Sequence, residues 1–218
     1  AGTISNFQES GEDKILFSVT SYTNPQKYFE YNLVNDDLQM IWEEVIPGYN
    51  PDDYVEIATY FSSKDGTQIP ITYSYKSSIE INSRTPVFLY GYGGYNISIR
   101  PSFTPKYVAW LEMGGVLAVA NLRGGGELGK SWHDAGRLDT KQNGFDDFLY
   151  ASKFLEDKSI GNRKTTVISG RSNGGLLVGA TLVQNPDYFG AALPAVGVLD
   201  MLRFTEFTEG WGWRGDYG

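Results

Sequence analysis

Residues 164–186, KTTVISGRSNGGLLVGATLVQNP, contain the pattern that decides the fold. A run rich in β-branched residues at 165–168 stops at Gly170, and a helical pattern of apolar residues starts at Asn173. Between them, residues 170–174 read G-x-S-x-G, with Ser172 at the centre. A serine on so tight a strand-to-helix turn has a strained backbone, and its hydroxyl projects above the sheet. The N–H groups at the start of the next helix would stabilise a developing oxyanion, so we expect a nucleophilic serine.

The same pattern also fits a glycine-rich turn that carries a bystander serine. The chain has 26 glycines in 218 residues, so a chance match to G-x-S-x-G is not rare. The strand–turn–helix context therefore has to support the catalytic interpretation, and that context is present here.

Composition limits the classes of function. A hydrophobic content of 41% and an aromatic content of 15% indicate a globular protein with a substantial core. The net charge of −8 argues against a nucleic-acid partner, and no apolar stretch reaches the length of a membrane span. Because cysteine is absent, neither a disulfide framework nor a thiolate nucleophile is possible. No motif indicates a metal or a cofactor.

The first part of the chain differs from the rest. Residues 1–60 carry 11 acidic and 2 basic side chains, whereas residues 61–218 carry 15 and 16. Short aromatic and β-branched runs at 14–20, 27–34 and 39–46 predict a three-stranded antiparallel meander, the size of one propeller blade. One blade cannot bury both faces, so this piece requires neighbours.

After a linker at 47–53, the pattern becomes that of an α/β protein. Runs at 54–63 and 68–76 flank Asp65-Gly66, a strong hairpin signal. Beyond them, apolar strands alternate with helical patterns, which predicts a largely parallel sheet covered on both faces. The expected strands are 86–90, 116–121, 165–169 and 191–198, and the expected helices lie near 103–112, 143–157 and 173–184.

Two further glycine-rich stretches and one histidine invite a functional interpretation. Residues 90–95, YGYGGY, follow a strand and could donate to an oxyanion, or they could form a flexible turn. Residues 123–129, RGGGELG, lack the features of a phosphate-binding loop, so a structural loop is favoured. His133 is the only histidine, but it precedes Ser172, whereas such hydrolases place the histidine after the serine. We expect His133 to have a structural or surface role.

Together these stretches resemble the prolyl oligopeptidase family of serine peptidases. The resemblance covers nearly the whole chain, and it rests on several independent blocks that occur in the family's order. The blocks are 90–103 (YGYGGYNISIRPSF), 114–133 (GGVLAVANLRGGGELGKSWH), 142–148 (QNGFDDF), 169–178 (SGRSNGGLLV) and 196–204 (VGVLDMLRF).

The resemblance implies a function and a set of site residues. That family has an α/β-hydrolase domain capped by a seven-bladed β-propeller, and it cleaves short peptides after proline. Ser172 resembles the family's nucleophile, and the Asn173 N–H and the Tyr92 hydroxyl resemble its oxyanion hole. Trp213 resembles the residue that stacks on the substrate proline. Tyr95, where the family commonly has Phe, together with Val198 and Tyr217, resembles the other walls of that pocket. Because proline has no N–H, its ring must be recognised by shape and apolar contact, which these side chains provide.

The resemblance also predicts that the chain is an internal fragment. Residues 1–46 resemble only the last propeller blade, and residues 47–218 resemble the first part of the hydrolase domain's main segment. The family's triad Asp and His would then come from missing segments or from a companion chain, as would the other blades.

Three hypotheses follow. The leading one is a serine endopeptidase whose partner is a short proline-containing peptide. A second is a related peptidase or esterase with another specificity. A third is a fragment that is catalytically incomplete when alone and only binds partners.

Overall fold

The computed structural model describes residues 2–218, which form two sheets joined by a short linker. The first is a four-stranded antiparallel meander with strands in chain order. The second is a six-stranded mixed sheet with the order β10-β9-β7-β8-β6-β5. The strands are β1 (Thr3–Glu9), β2 (Lys14–Thr20), β3 (Lys27–Asn32), β4 (Leu38–Glu43), β5 (Tyr54–Ser62), β6 (Gln68–Lys76), β7 (Val87–Gly91), β8 (Val116–Ala120), β9 (Thr166–Arg171) and β10 (Ala191–Ala195).

Helices cover the second sheet, and single 3-10 turns mark several connections. The helices are α1 (Pro105–Glu112), α2 (Lys130–Asp134), α3 (Gln142–Asp157), α4 (Asn173–Gln184) and α5 (Arg214–Tyr217). The 3-10 turns are Pro51–Asp53, Leu138–Thr140, Phe204–Glu206 and Gly210–Trp213. Across residues 2–218, no helix has both the length and the apolar character needed to cross a membrane.

The first sheet has four strands, so the prediction of three was wrong. The missed strand, β1, pairs with β2 through Ile4 opposite Val19, and a bulge interrupts the register between Ser5 and Gln8. Its segment, TISNFQE, is mostly polar and exposed, so it lacks the alternation that reveals a half-buried strand. Neighbouring strands are held by a ladder of aromatic rings: Phe7 on Phe17, and Phe17 on Phe29, with centroids 5.9 and 5.8 Å apart.

The second sheet combines a parallel part with an antiparallel hairpin. Strands β10, β9, β7 and β8 pair in parallel, as expected. The β5–β6 hairpin adds to β8 in the antiparallel sense, and its turn lies at the predicted Asp65-Gly66. The predicted strand 191–198 ends at Ala195 because Val196 adopts a positive φ of 44°.

The core lies on both faces of this second sheet. On one face, Leu89 and Ile168 pack with Phe148 of α3 and Leu177 of α4, and all four are fully or almost fully buried. On the other face, Leu117 and Val119 pack with Leu111 of α1. Because β7 and β9 are parallel neighbours, their carboxyl ends lie at the same edge of the sheet, where the loops that follow them begin.

Candidate active site

The turn between β9 and α4 holds Ser172 in a left-handed backbone conformation. Its φ is 59° and its ψ is −118°, its side chain forms no capping bond to the helix, and the residue is exposed. Such a φ is strained for a residue with a Cβ, and surrounding contacts must maintain it. The arrangement leaves the Ser172 hydroxyl free of the helix and directed out of the fold.

Two glycines make this turn possible. A Cβ on Gly170 would lie 2.2 Å from the carbonyl oxygen of Gly174. A Cβ on Gly174 would lie 2.8 Å from the carbonyl oxygen of Gly91, at the end of β7. Both obstacles are backbone atoms, which cannot swing aside. The G-x-S-x-G glycines are therefore required by close approach of β7, β9 and α4.

The first residue of α4, Asn173, offers an N–H at the turn. The Ser172 carbonyl accepts from Gly175 N at 2.8 Å and from Leu176 N at 3.2 Å, which closes the first helical turn. An N–H at the first helical position has no acceptor within its own helix. The Asn173 N–H is thus available beside Ser172, at the positive end of the helix dipole.

The loop after β7 brings Tyr92 to the same place. The Asn173 side-chain amide donates to the Tyr92 carbonyl oxygen at 2.6 Å, which ties the two loops together. Burial raises the pKa of the Tyr92 phenol, Asp216 and Tyr90 raise it further, and a hydrogen bond with Ser172 acts in the opposite direction. The Tyr92 hydroxyl therefore stays protonated at neutral pH and is close enough to interact with the Ser172 hydroxyl.

Tyr95 and Tyr217 form an aromatic wall next to these donors. Their rings meet edge to face, with centroids 5.6 Å apart, and Tyr217 packs in the same way on Phe204. The Tyr217 hydroxyl donates to Asn173 Oδ1 at 3.2 Å. Burial raises the pKa of Tyr95 to about 12 and also raises the pKa of Tyr217. Five of the seven predicted site residues are thus linked through direct contacts.

The other two predicted site residues, Trp213 and Val198, lie close in the chain to residues of that region. Trp213 ends the 3-10 turn Gly210–Trp213, is half-buried, and directly precedes α5. Val198 is half-buried and follows Gly197, which packs against Gly175 on the first turn of α4. Within residues 2–218, no hydrogen bond or aromatic pair joins the Trp213 side chain to the linked five.

Sequence reasoning missed the group that connects this site, which is centred on Asp216. This carboxylate is 2% exposed and accepts from Tyr95 N at 3.0 Å, His133 Nε2 at 2.9 Å and Lys141 Nζ at 2.8 Å. Burial lowers the pKa of Lys141, and the ion pair with Asp216 opposes that shift. Because 75 residues separate Lys141 from Asp216, no local spacing could have indicated the pair.

His133 contacts the buried carboxylate, and the structural or surface role that the sequence favours for it stays a prediction. Its ring nitrogen Nε2 is hydrogen-bonded to Asp216 Oδ1 at 2.9 Å, and its side chain is 19% exposed. It lies on α2, before the nucleophile in the chain, and its contact is with the buried carboxylate.

The glycine run 123–129 forms a structural loop. Gly124, with a φ of 96°, fits against Gly93, because a Cβ there would lie 2.5 Å from the Gly93 carbonyl oxygen. Arg123 is 4% exposed, and its guanidinium binds Asp147 and Asp65, with closest distances of 2.6 Å to each. This loop therefore packs against the loop after β7, which carries Tyr92.

Comparison with known proteins supports the fold and shows the family. The model of the prolyl oligopeptidase family matches residues 101–217. The chain is 43% identical to a prolyl endopeptidase of Elizabethkingia meningoseptica over 219 positions, which cover 100% of this chain and 31% of that protein. The chain therefore spans about a third of the length of the curated relatives it matches.

Solved structures agree. Prolyl oligopeptidase B from Galerina marginata, solved with a 25mer macrocyclization substrate, superposes with a TM-score of 0.92 at 34% identity, over 100% of this chain and 31% of that one. A post-proline cleaving enzyme from Rickettsia typhi gives a TM-score of 0.90 at 31% identity, with the same coverage. The predicted α/β-hydrolase fold, preceded by a blade-like meander, is confirmed.

Proposed function

The chain belongs to the prolyl oligopeptidase family, and we propose on that basis that it is part of a serine endopeptidase that cleaves short peptides on the carboxyl side of proline. One observation carries the proposal. Ser172 is exposed on a strained strand-to-helix turn, with the Tyr92 hydroxyl facing it and the Asn173 N–H beside it.

In the proposed reaction, Ser172 Oγ attacks the carbonyl carbon of the substrate proline, and a histidine base takes the hydroxyl proton. The Tyr92 hydroxyl and the Asn173 N–H stabilise the tetrahedral oxyanion. The C–N bond then breaks, the base returns its proton to the leaving amine, and an acyl-enzyme remains on Ser172. Water hydrolyses that ester and regenerates the serine.

We assign the base to a histidine that is not among residues 1–218, on a further part of the same chain or on a companion chain. Among residues 2–218, the His133 ring bonds to Asp216 and forms no hydrogen bond with Ser172, which argues against its use as the base. Loss of a true base lowers the rate by about 10⁴- to 10⁶-fold. We therefore expect His133→Gln to lower kcat/KM by less than about 10²-fold, the cost of a small misplacement. A loss beyond 10⁴-fold would make His133 the base.

The specificity pocket is assigned to Trp213, Tyr95, Val198 and Tyr217. Tyr95 and Tyr217 form an aromatic wall next to Asn173, and we add half-buried Trp213 and Val198 to the same pocket from the resemblance to the family. We also propose that residues 1–46 are a propeller blade and residues 47–218 part of the catalytic domain. The first sheet ends at Glu43, and β5 already belongs to the second sheet, which supports this boundary.

A substitution pair tests the function. The protein is expressed with whatever its gene encodes on either side of these residues. It is assayed on two peptides that differ only in proline or alanine before the scissile bond. Trp213→Ala should lower kcat/KM for the proline peptide by about 10- to 200-fold, because a hydrophobic pocket contact is worth roughly that much.

The matched control is Trp211→Ala, since Trp211 is 66% exposed two residues away. It should leave both substrates unchanged, and Trp213→Ala should affect the alanine peptide much less than the proline peptide. Equal losses on both peptides would contradict the proline pocket. Absence of any cleavage after proline by the parent protein would contradict the function itself.

A further inference from the structure

A buried ion pair lies behind the proposed oxyanion hole. Lys141 Nζ and Asp216 Oδ2 are 2.8 Å apart, and their side chains are 13% and 3% exposed. Lys141 precedes α3 and Asp216 lies on α5, so the pair joins two segments that are distant in the chain, alongside the bond from Arg137 Nη1 to the Gly215 carbonyl oxygen.

Asp216 holds the loop that carries Tyr92. It accepts from the backbone N–H of Tyr95, at a point where Gly93, Tyr95 and Asn96 all have positive φ values of 61°, 57° and 55°. Two of these are residues with side chains, for which this conformation is strained. The loop therefore needs an anchor, and the Asp216 carboxylate is one.

Lys141 connects the same anchor to the nucleophile turn. Besides Asp216, its ammonium donates to Asn173 Oδ1 at 3.0 Å and to the Gly93 carbonyl oxygen at 3.3 Å. The other end of the Asn173 amide donates to the Tyr92 carbonyl oxygen. The ammonium thus fixes the orientation of the Asn173 side-chain amide. That amide in turn sets the distance between the Tyr92 loop and the start of α4.

We propose that Lys141 and Asp216 are positioning residues for the oxyanion hole, and that His133 holds the carboxylate from its other side. The inference rests on the proposed function, because it assigns a task to groups behind that site. Neither residue forms a bond with substrate. Their task is to keep the Tyr92 hydroxyl and the Asn173 N–H at a fixed separation around the Ser172 oxygen.

Stability alone does not explain this pair. Replacement of a buried ion pair by apolar side chains is often neutral or stabilising, because desolvation offsets the attraction. Here every remaining polar atom of the pair is directed at the Tyr92 loop, at Asn173 or at His133. That arrangement is expected of side chains that hold the Tyr92 loop and Asn173 in fixed positions.

The test uses the protein with its full gene-encoded sequence and the variant Asp216→Asn, with Asp200→Asn as the matched control. Asp200 pairs with Arg203 at the surface and contacts none of the site residues named above. Two rates are measured: cleavage of the proline peptide, and reaction of Ser172 with a small fluorophosphonate, which uses the oxyanion hole but not the proline pocket. Asp216→Asn should lower both rates by about 10²-fold, and Asp200→Asn neither.

A double-mutant cycle separates positioning from general damage. Tyr92→Phe alone should lower kcat by about 10²- to 10³-fold, the usual cost of one oxyanion donor. In that background, the further loss from Asp216→Asn should be smaller by about tenfold or more, because the two groups act through one geometry. Full additivity of the two losses would overturn the proposal. So would an unchanged fluorophosphonate rate in Asp216→Asn.

Two further measurements distinguish loss of positioning from misfolding of the variant and from failure of the proposed function. The double variant Lys141→Met/Asp216→Asn leaves no unpaired buried charge, so it should fold; recovery of both rates in it would overturn the proposal. If the parent protein neither cleaves nor reacts, the proposed function fails by itself. Hydrogen exchange of residues 91–96 then decides: acceleration by about tenfold in Asp216→Asn supports positioning, and unchanged exchange overturns it.

Discussion

The buried carboxylate of Asp147 allows a quantitative prediction about stability. It lies on α3, has no exposed surface, and accepts from Arg123 Nη2 at 2.6 Å, from Arg123 Nε at 2.9 Å and from the Ser63 hydroxyl. Asp147→Asn preserves the shape of the side chain but removes its charge. It also places an amide N–H₂ group, which can only donate, opposite the N–H donors of the Arg123 guanidinium. We expect this single change to loosen the joint between the β5–β6 hairpin, the 123–129 loop and α3.

The structure sets the magnitude. Breaking a buried ion pair by removing one partner costs about 3–5 kcal/mol. Asp65 still faces Arg123 at 2.6 Å, but its side chain is 48% exposed, so it compensates only in part. We therefore expect a loss near the low end, about 3 kcal/mol. For a unit of this size, that corresponds to a fall in Tm of about 6–12 °C.

The assay is urea unfolding followed by tryptophan fluorescence, since Trp132 is buried beside the loop and donates to the Leu122 carbonyl oxygen. The control is Asp146→Asn on the preceding residue, whose surface pair with the 62% exposed Lys64 should contribute less than about 1 kcal/mol. A loss below about 1 kcal/mol for Asp147→Asn, or equal losses for both variants, would refute this reasoning.

Two further predictions concern pH and the nucleophile turn. The Arg123 hydrogen bond lowers the pKa of Asp65 to about 2 from 3.8, so this group stabilises the fold above pH 4 and the contribution disappears between pH 4 and 2. After allowance for exposure it amounts to about 1 kcal/mol, and Asp65→Asn should flatten the measured slope in that interval. Gly174→Ala places a Cβ against the Gly91 carbonyl oxygen and should lower the free energy of unfolding, measured in urea, by about 1–3 kcal/mol. The control Gly212→Ala, whose Cβ would meet no atom within 4 Å, should leave it unchanged. Equal effects would argue against tight packing at the turn.

Much of the second sheet could be predicted because its signals are local. The β9–α4 turn combines β-branched residues, glycines and a helical apolar pattern within about twenty residues, and each feature has one physical cause. By contrast, β1 could not be predicted, since its polar segment becomes a strand only through pairing with β2. The early end of β10 at Ala195 could not be predicted either, since no local pattern indicates the positive φ of Val196.

The site divides in the same way. The positions of Ser172 and Asn173 follow from the motif, and the loop after β7 could be placed beside them because parallel strands share a carboxyl edge. The ion pair of Lys141 with Asp216 brings together segments 75 residues apart, and neither residue lies in a recognisable pattern. Buried polar contacts of this kind are determined by the tertiary fold, so they become visible only in the structure.

The central claim is that Ser172 is an activated nucleophile, and covalent labelling tests it most directly. The protein, with its full gene-encoded sequence, is treated with a fluorophosphonate, digested and analysed by mass spectrometry. We predict one modified peptide, carrying the adduct on Ser172, and no adduct in Ser172→Ala. Folded protein that stays unmodified, or that carries the adduct on another residue, would contradict it.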